Sequence, residues 1–317
     1  MYRAHFDDIA RRVGRAIRVA LIASTLAWPA LAAAQDSPVI KINAEAARSD
    51  VKITPLRGGV SMLEGSGGNI GVLVVPGEKF MVDAGIAISK DKLAKALASL
   101  SADRVTNVVN THWHWDHTDG NAWLHDAGAE IVAHPRTAQY VAQVERVDDW
   151  SYTFQPLAPS GQPRVLVKDR KQYAVGDEQV DVVAIPPAHT DGDLYVYFKN
   201  ADVLFVGDTY WNGIYPFIDN EHGGSIDGMI RAADLSLKMA GPRTIVIPGH
   251  GPPATRADLE EYRTMLQTIR DNVAKLKKQG KDRDAVIAAK PSSQFDAKWG
   301  QFLIDPAFFT RLVYDGL

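Results

Sequence analysis

The segment from His112 to His117 constrains this chain more than any other part of the sequence. It places three histidines and one aspartate within six positions, directly after an apolar run that is expected to form a strand. Alternate side chains of extended backbone point to the same side, so His112 and His114 face one way. A turn after them brings Asp116 and His117 close to the same point. Because imidazole and carboxylate are the ligands that zinc takes at sites that keep a position open for water, the segment predicts a metal site at the end of a strand.

The first 34 residues have the pattern of a secretory signal peptide. Five arginines precede an apolar run from Val19 to Leu31, and Ala32-Ala33-Ala34 offers small residues for cleavage before Gln35. An uncleaved membrane anchor is the alternative, but an anchor needs about 20 apolar residues and this run is shorter. We therefore expect a periplasmic or secreted protein that has no stable membrane insertion after removal of residues 1–34.

Composition narrows the possible partners and the possible chemistry. The net charge of −3 gives no electrostatic reason to expect nucleic acid as a partner, and no polybasic tract marks a membrane surface. The chain contains no cysteine, which removes thiolate from the possible ligands and nucleophiles. Chemistry must therefore come from His, Asp, Glu, Ser, Tyr and bound metal, and we expect the substrate to be a small molecule.

The apolar pattern predicts alternating strands and helices, with a polar side chain after several strand ends. Asp83 follows one strand, leucines at helical spacing come next, and the strand that precedes His112 follows them. This order predicts a parallel crossover, and ligands of open α/β sheets collect at the carboxyl ends of such strands. His189, Asp208 and His250 each follow a later apolar run. We therefore expect all these side chains at one edge of the fold.

The last part of the chain is predicted to be helical. Thr255 and Asp258 have the spacing of a helix start, an apolar stripe follows them, and Gly280 is a typical helix end. No linker separates this part from the rest of the sequence. We expect one domain over residues 35–317, with a helical C-terminal extension from about residue 255.

These motifs together resemble, in order and spacing, the five motifs of the metallo-β-lactamase fold superfamily, from about Gly59 to Gly251. The resemblance implies an α/β fold, namely a four-layer αββα sandwich of two mixed β-sheets flanked by helices. It also implies two metal ions and a bridging carboxylate. The implied ligands are His112, His114 and His189 for the first ion, Asp116, His117 and His250 for the second ion, and Asp208 between the two ions.

The resemblance also implies a cofactor and residue roles. The cofactor would be two zinc ions per chain, with iron or manganese as alternatives. Zinc lowers the pKa of a bound water to about 7, so a hydroxide could attack an acyl carbonyl. Asp116 would be the catalytic residue that orients this hydroxide and passes a proton to the leaving group. Asp83 resembles a buried acid that hydrogen-bonds to metal ligands, although it could equally cap the turn that it begins.

Aromatic residues between and after the ligand motifs predict an apolar wall around the substrate. Trp211 and Tyr215 are the candidates for substrate contact, and packing of the loops over the metal site is the alternative. Three further histidines, His125, His134 and His222, are expected to have structural roles only.

The leading functional hypothesis is an exported binuclear zinc hydrolase of ester, lactone, thioester or β-lactam amide bonds. Asp208 resembles the bridging acid of glyoxalase II and of the acyl-homoserine lactonases, whereas the other six ligands also match a β-lactamase subclass, so a β-lactamase is an alternative. Glyoxalase II is disfavoured because the C-terminal helices show no clear basic pair for glutathione. The lactonase tyrosine is offset by one residue, because Tyr210 stands beside Trp211 here.

Two hypotheses from other classes also fit the motifs. The first is a mononuclear iron dioxygenase that acts on persulfides, and metal content with oxygen uptake would identify it. The second is an exported binding or accessory protein with a vestigial site, which the intact set of ligands disfavours. A nuclease is disfavoured because the sequence has no basic track for a polyanion.

Overall fold

The computed structural model describes residues 37–317, so the predicted signal peptide and its cleavage site lie outside the described residues. The strands of this part of the chain are β1 (Lys52–Pro55), β2 (Val60–Glu64), β3 (Ile70–Val75), β4 (Glu78–Val82), β5 (Val105–Val109), β6 (Glu130–Ala133), β7 (Glu145–Val147), β8 (Tyr152–Phe154), β9 (Val165–Leu166), β10 (Arg170–Val175), β11 (Glu178–Ala184), β12 (Leu194–Phe198), β13 (Val203–Phe205) and β14 (Ile245–Ile247).

The α-helices of the same part are α1 (Pro38–Arg48), α2 (Lys90–Leu100), α3 (Trp115–Thr118), α4 (Asn121–Asp126), α5 (Pro135–Val141), α6 (Ile226–Met239), α7 (Arg256–Lys278), α8 (Arg283–Ala288), α9 (Asp296–Trp299) and α10 (Pro306–Asp315). Short 3-10 helices occupy Ala87–Ser89, Asp148–Trp150, Gly207–Thr209 and Asn220–His222.

The strands form two mixed sheets and a small hairpin. The larger sheet has the order β1-β2-β3-β4-β5-β6-β9, the smaller sheet has the order β10-β11-β12-β13-β14, and β7 pairs with β8. Strands β1 to β4 are antiparallel, whereas β4, β5, β6 and β9 are parallel neighbours. In the smaller sheet only the β13–β14 pair is parallel. The parallel pairing of β4 with β5 around α2 confirms the predicted crossover.

Three apolar clusters separate four layers. Apolar side chains from both sheets, such as Val109 of β5 and Phe205 of β13, meet in a core between the sheets. Val108, the neighbour of Val109, points to the opposite face of its strand and packs with α2. A third cluster covers the outer face of the smaller sheet with α6 and α7. This αββα arrangement confirms the predicted fold class.

The long C-terminal helix begins where the sequence predicts. Thr255 accepts a hydrogen bond from the backbone of Asp258, whose carboxylate bonds back to Thr255, so the two residues form a capping box. The helix ends at Lys278, and Gly280 follows with a φ of +79°. The later helices α8 to α10 pack on this helix and on one another. No helix within residues 37–317 is both long and apolar enough to cross a membrane.

The N-terminal helix α1 is an element that the sequence analysis does not predict. Its carboxyl end is tied to the body of the protein by Lys92, whose ammonium donates hydrogen bonds to the carbonyls of Ala47 at 2.7 Å and Ser49 at 2.6 Å. A cation at this end of a helix also stabilises the helix dipole. In its middle, Asn43 accepts a hydrogen bond from the indole nitrogen of Trp115 at 2.9 Å. The helix is therefore fastened beside the segment that carries the predicted ligands.

Candidate metal centre

The predicted ligands meet at the edge where the two sheets present the carboxyl ends of their parallel strands. Backbone hydrogen bonds join the ligand loops of the two sheets. Leu194 donates to the carbonyl of Thr111 at 2.7 Å, and Asn69 donates to the carbonyl of Gly249 at 2.7 Å. Because these bonds cross from one sheet to the other, they fix the relative position of loops that are far apart in sequence.

A first cluster consists of three buried imidazoles. His112 Nε2 lies 3.1 Å from His114 Nδ1, and His189 Nε2 lies 3.0 Å from the same nitrogen. All three residues are at most 1% exposed. The ring nitrogens of His112, His114 and His189 therefore converge on one point, as the sequence predicts.

In two of these rings, the hydrogen bond of the outward nitrogen determines the tautomer, and so shows that the inward nitrogen carries no proton. His114 Nε2 lies 3.0 Å from a carboxylate oxygen of Asp219, and His189 Nδ1 lies 3.0 Å from the carbonyl of Phe217. A carboxylate and a carbonyl can only accept, so the outward nitrogens donate their protons. The inward nitrogens of His114 and His189 consequently carry lone pairs.

The third ring is oriented through a hydroxyl. His112 Nδ1 lies 3.0 Å from Thr111 Oγ1, and that hydroxyl donates its own proton to Asp83 at 2.9 Å. The hydroxyl oxygen must then accept from His112 Nδ1, which leaves the inward Nε2 as a lone pair. Three lone pairs at this separation repel one another unless a cation lies between them. A tetrahedral zinc site with Zn–N bonds of about 2.1 Å has edges of about 3.4 Å between ligands, so the cluster fits such an ion.

A second cluster adjoins the first. His250 Nε2 lies 3.3 Å and His117 Nε2 lies 3.7 Å from Asp116 Oδ2. The other nitrogen of His117 lies 2.9 Å from Asp83 Oδ2, to which it donates. His117 Nε2 is buried, and within residues 37–317 it makes no hydrogen bond of good geometry, although Asp208 Oδ1 lies 3.2 Å from it. An unsatisfied buried imidazole nitrogen beside a carboxylate is the second feature that fits a cation.

Asp208 lies between the two clusters. Its Oδ1 is 3.2 Å from His117 Nε2, whereas its Oδ2 is 3.8 Å from His112 Nε2 and 3.7 Å from His189 Nε2. Within the described part of the chain Oδ1 has no hydrogen-bond partner. One carboxylate oxygen therefore faces each cluster. Gly249 permits this position, because a Cβ there would lie 1.8 Å from Asp208 Oδ1.

The protonation preferences differ between the clusters. Burial lowers the pKa of His114 to about 4 and lowers the pKa of His112 well below its usual value, so both rings stay neutral, as metal ligands must be. Burial also opposes protonation of His250, but the carboxylates of Asp208 and Asp116 outweigh it and raise the pKa of His250 to about 9. A proton and a metal cation compete for the same negative charge, so the second cluster attracts cations of either kind.

Asp83 connects both clusters. It accepts hydrogen bonds from the backbone and hydroxyl of Thr111, which orients His112, and from His117 itself. Burial raises the pKa of Asp83, and the interactions with His117 and Thr111 oppose that shift. Its φ of 63° is a left-handed conformation that lets the carboxylate turn towards both ligands. The structure thus places Asp83 where a residue that positions metal ligands must lie.

A second group of this kind, formed by Asp219 and His222, is not predicted from the sequence. Asp219 Oδ2 contacts His114, and its Oδ1 lies 2.8 Å from His222 Nδ1. The other nitrogen of His222 lies 3.2 Å from Glu145. The hydrogen bonds from the two histidines outweigh burial and lower the pKa of Asp219. His222, which was expected to be structural only, therefore supports a ligand through Asp219.

The remaining predicted residues lie in different places. Trp211 lines the cleft that leads to the clusters, with its ring 4.4 Å from that of His250. Tyr215 does not line this cleft. Its ring stacks on Phe309 at 4.5 Å and its hydroxyl donates to Asp296 at 2.8 Å, so the C-terminal helices hold it in the core. In this structure Tyr215 therefore packs the core and does not make the predicted substrate contact.

The two other histidines also lie apart from the clusters. His125 hydrogen-bonds to the carbonyl of Ala129, and His134 accepts a hydrogen bond from the backbone of Arg136 at the start of α5. Both contacts are local and lie within their own segments of the chain.

A family model and several relatives match this chain. The model described as "Metallo-beta-lactamase superfamily" matches residues 63–250. A hydroxyacylglutathione hydrolase of Rhodospirillum rubrum is 27% identical over 148 residues, which are 46% of this chain and 48% of that protein. A human acyl-coenzyme A thioesterase is 26% identical over 168 residues, which are 47% of this chain and 57% of that protein. The chain spans about half the length of the curated relatives it matches.

Solved structures match over a larger part of the chain. The metallo-beta-lactamase DIM-1 has a TM-score of 0.56 and 20% identity, over 69% of this chain and 98% of that chain. The sec-alkylsulfatase Pisa1 from Pseudomonas sp. has a TM-score of 0.62 and 17% identity, over 83% of this chain and 50% of that chain. At such low identities the likeness shows a common fold.

Removal of metal is expected to destabilise the protein. Without a cation the three inward lone pairs repel one another, whereas an ion at a thousand times its Kd stabilises the fold by about 4 kcal/mol. Dialysis against a chelator should therefore lower the Tm measured by calorimetry, and added zinc should restore it. The variant His125→Ala, which changes a histidine outside the clusters, should show the same drop. An unchanged Tm after verified metal removal would contradict the metal centre.

The two supporting aspartates are expected to affect metal binding differently. Asp219→Asn replaces one carboxylate oxygen by an NH2 donor and removes the negative charge beside His114, the one cluster ligand that Asp219 contacts, so it should weaken the first site roughly 10- to 100-fold. Asp83→Asn makes the same change at a residue that serves both clusters and should weaken both sites. Metal titration followed by calorimetry measures the two affinities. The matched control is Asp227→Asn on α6. The side chain of Asp227 is 46% exposed, and this variant protein should bind metal with normal affinity. Equal affinities in all three variants would contradict this assignment.

Proposed function

Because the chain belongs to the metallo-beta-lactamase superfamily, we propose that it is an exported hydrolase that holds two zinc ions and cleaves an acyl bond. The observation that carries the proposal is the pair of adjoining clusters, with Asp208 facing one cluster with each of its carboxylate oxygens. The acyl bond would be that of an ester, lactone, thioester or β-lactam. Water is added across this bond, and the leaving group departs with one of the protons of that water.

The residues of the two clusters would hold the ions. His112, His114 and His189 would bind the first ion, whereas Asp116, His117 and His250 would bind the second and Asp208 would contact both. When bound, the ions would supply Lewis acidity and would ionise a water at neutral pH. The lowered pKa values of His112 and His114 support this assignment of the first cluster, because imidazole binds metal only without a proton on the ligating nitrogen.

Asp116 is the residue placed to move a proton. It lines the cleft, and its Oδ2 lies 3.3 Å from His250 Nε2. Burial would raise the pKa of this carboxyl, but the imidazoles of His117 and His250 outweigh burial and lower it. Asp116 therefore stays ionised, orients the attacking water through an oxygen that can only accept, and can carry a proton to the leaving group.

Metal content separates a binuclear hydrolase from a mononuclear iron dioxygenase, because the dioxygenase would leave the second site empty while keeping similar ligands. Asp116, His117 and His250 converge in this structure, and the carboxylates beside His250 raise its pKa, so the second cluster attracts a cation. The names of two relatives describe hydrolysis of an acyl group carried by glutathione or by coenzyme A. These names support acyl-bond hydrolysis as the reaction class.

Export rests on the N-terminal sequence, which lies outside the described residues. If residues 1–34 are a signal peptide, protein recovered from the periplasm of the host should begin at Gln35. Edman sequencing or intact mass of that fraction measures the new N-terminus. Recovery only of membrane-bound protein that retains Met1 would support the uncleaved anchor instead.

The reaction is tested by a substrate panel on zinc-loaded protein. We expect turnover of at least one β-lactam, lactone, thioester or aryl ester, with two zinc ions per chain by elemental analysis. Asp208→Ala should lower kcat by about 100-fold or more, because the carboxylate between the ions is lost. The control His125→Ala should keep full activity. One iron per chain with oxygen uptake on a persulfide would identify the dioxygenase, and no turnover with both metals bound would contradict the hydrolase.

A further inference from the structure

The charge of the cleft above the metal clusters is unexpected, because two relatives are named for substrates that carry anionic groups, glutathione and coenzyme A. The cleft has a volume of about 250 Å³ and reaches Asp116, Asp208 and His250. Among the described residues that line it, no lysine or arginine occurs. The charged side chains at its rim are instead Glu45 of α1 and Glu64 at the end of β2. Apart from His250 and the ions that the clusters would hold, an anionic group of a substrate would therefore meet no positive charge within this lining.

The walls of the cleft are aromatic. Trp115, Trp150 and Trp211 line it with at most 9% of each residue exposed, and Phe302 stands at the opening with 58% exposed. Burial of aromatic faces against an uncharged part of a substrate is favourable, at about 25 cal/mol for each Å² of apolar surface. A carboxylate or phosphate in the same place would lose water and gain no hydrogen-bonding partner of opposite charge.

These walls are held in place before a substrate arrives. The indole nitrogen of Trp115 donates to Asn43 of α1, and its ring packs edge-on against Trp150 at 5.1 Å. The carboxyl end of α1 is in turn bonded to Lys92. Glu64 lies 2.9 Å from the ammonium of Lys52, with which it forms a solvent-exposed ion pair. A preorganised wall discriminates between substrates more sharply than a mobile one, because it cannot rearrange around a charge.

We propose that this cleft selects acyl substrates whose acyl group and leaving group are both apolar and uncharged, and that it discriminates against anionic carriers such as glutathione and coenzyme A. The proposal rests on the proposed acyl-bond hydrolysis. This selectivity differs from the activities for which two relatives are named, since glutathione carries carboxylates and coenzyme A carries phosphates. Glu45 and the tryptophan walls are the specificity-determining residues.

One acyl group on three leaving groups tests the proposal with the zinc-loaded full chain. The substrates are the phenylacetyl thioesters of N-acetylcysteamine, which is uncharged, of glutathione and of coenzyme A. We expect kcat/KM for the uncharged thioester to exceed that for each anionic one at least about tenfold. Equal kcat/KM on all three overturns the selectivity alone. Absence of turnover on all three and on aryl esters, with two zinc ions bound, overturns the proposed hydrolysis and this selectivity with it.

A charge reversal at the rim sharpens the test. Glu45→Lys should raise kcat/KM for the coenzyme A thioester roughly threefold or more and leave kcat/KM for the uncharged thioester unchanged. This gain should disappear as added salt screens the charge. Glu45→Gln should give a smaller gain of the same kind. Glu260→Lys on α7 changes the net charge equally but does not line the cleft, so it should change neither substrate. A gain of equal size from Glu260→Lys would overturn the role of Glu45.

Binding gives a measurement that does not depend on catalysis. Quenching of tryptophan fluorescence reports a ligand against the three tryptophan walls. The uncharged thioether S-benzyl-N-acetylcysteamine should bind at least about tenfold more tightly than S-benzylglutathione. Tighter binding of the glutathione derivative would overturn the proposal.

Discussion

The mutual repulsion of inward-facing lone pairs is the constraint on which this site depends. His112, His114 and His189 hold their ring nitrogens about 3 Å apart, a separation at which bare nitrogens repel. Only the outward hydrogen bonds to Thr111, Asp219 and Phe217 keep the rings in these tautomers. A bound cation would remove the repulsion between these nitrogens, so the stability of the fold is coupled to metal binding.

The scaffold supplies this constraint from the ends of its strands. Asp83 follows β4 directly and adopts a left-handed conformation, which costs roughly 1–2 kcal/mol in most residues but is tolerated best by glycine, asparagine and aspartate. In return one carboxylate orients ligands of both clusters. Gly249 and Gly68 serve a steric purpose nearby, because a Cβ at either position would collide with Asp208 or with the ring of His117. The close approach of the two clusters thus depends on glycines at positions 68 and 249 as well as on the ligands themselves.

The sequence predicts the parts of the site that are local or that follow strands. The run from His112 to His117 can be predicted as a metal site because its ligands are close together in the sequence. His189 and Asp208 can be predicted because each follows an apolar run. Asp219 and His222 cannot be predicted in this way. They lie in and beside a 3-10 helix between irregular segments, so only the folded structure brings Asp219 to His114. Tyr215 fails as a substrate contact for a related reason, since distant C-terminal helices decide which way it points.

Part of the proposed selectivity comes from segments outside the range that carries the metal clusters. All the cluster residues lie within residues 63–250, the range that the superfamily model matches. Two walls of the cleft lie outside that range, because α1 precedes it and Phe302 follows it. Relatives that share the matched range can therefore share the reaction while their flanking segments shape a different cleft. For this reason Glu45 and Phe302, which lie outside the matched range, carry a part of the proposed selectivity that the names of proteins aligned over half of the chain do not indicate.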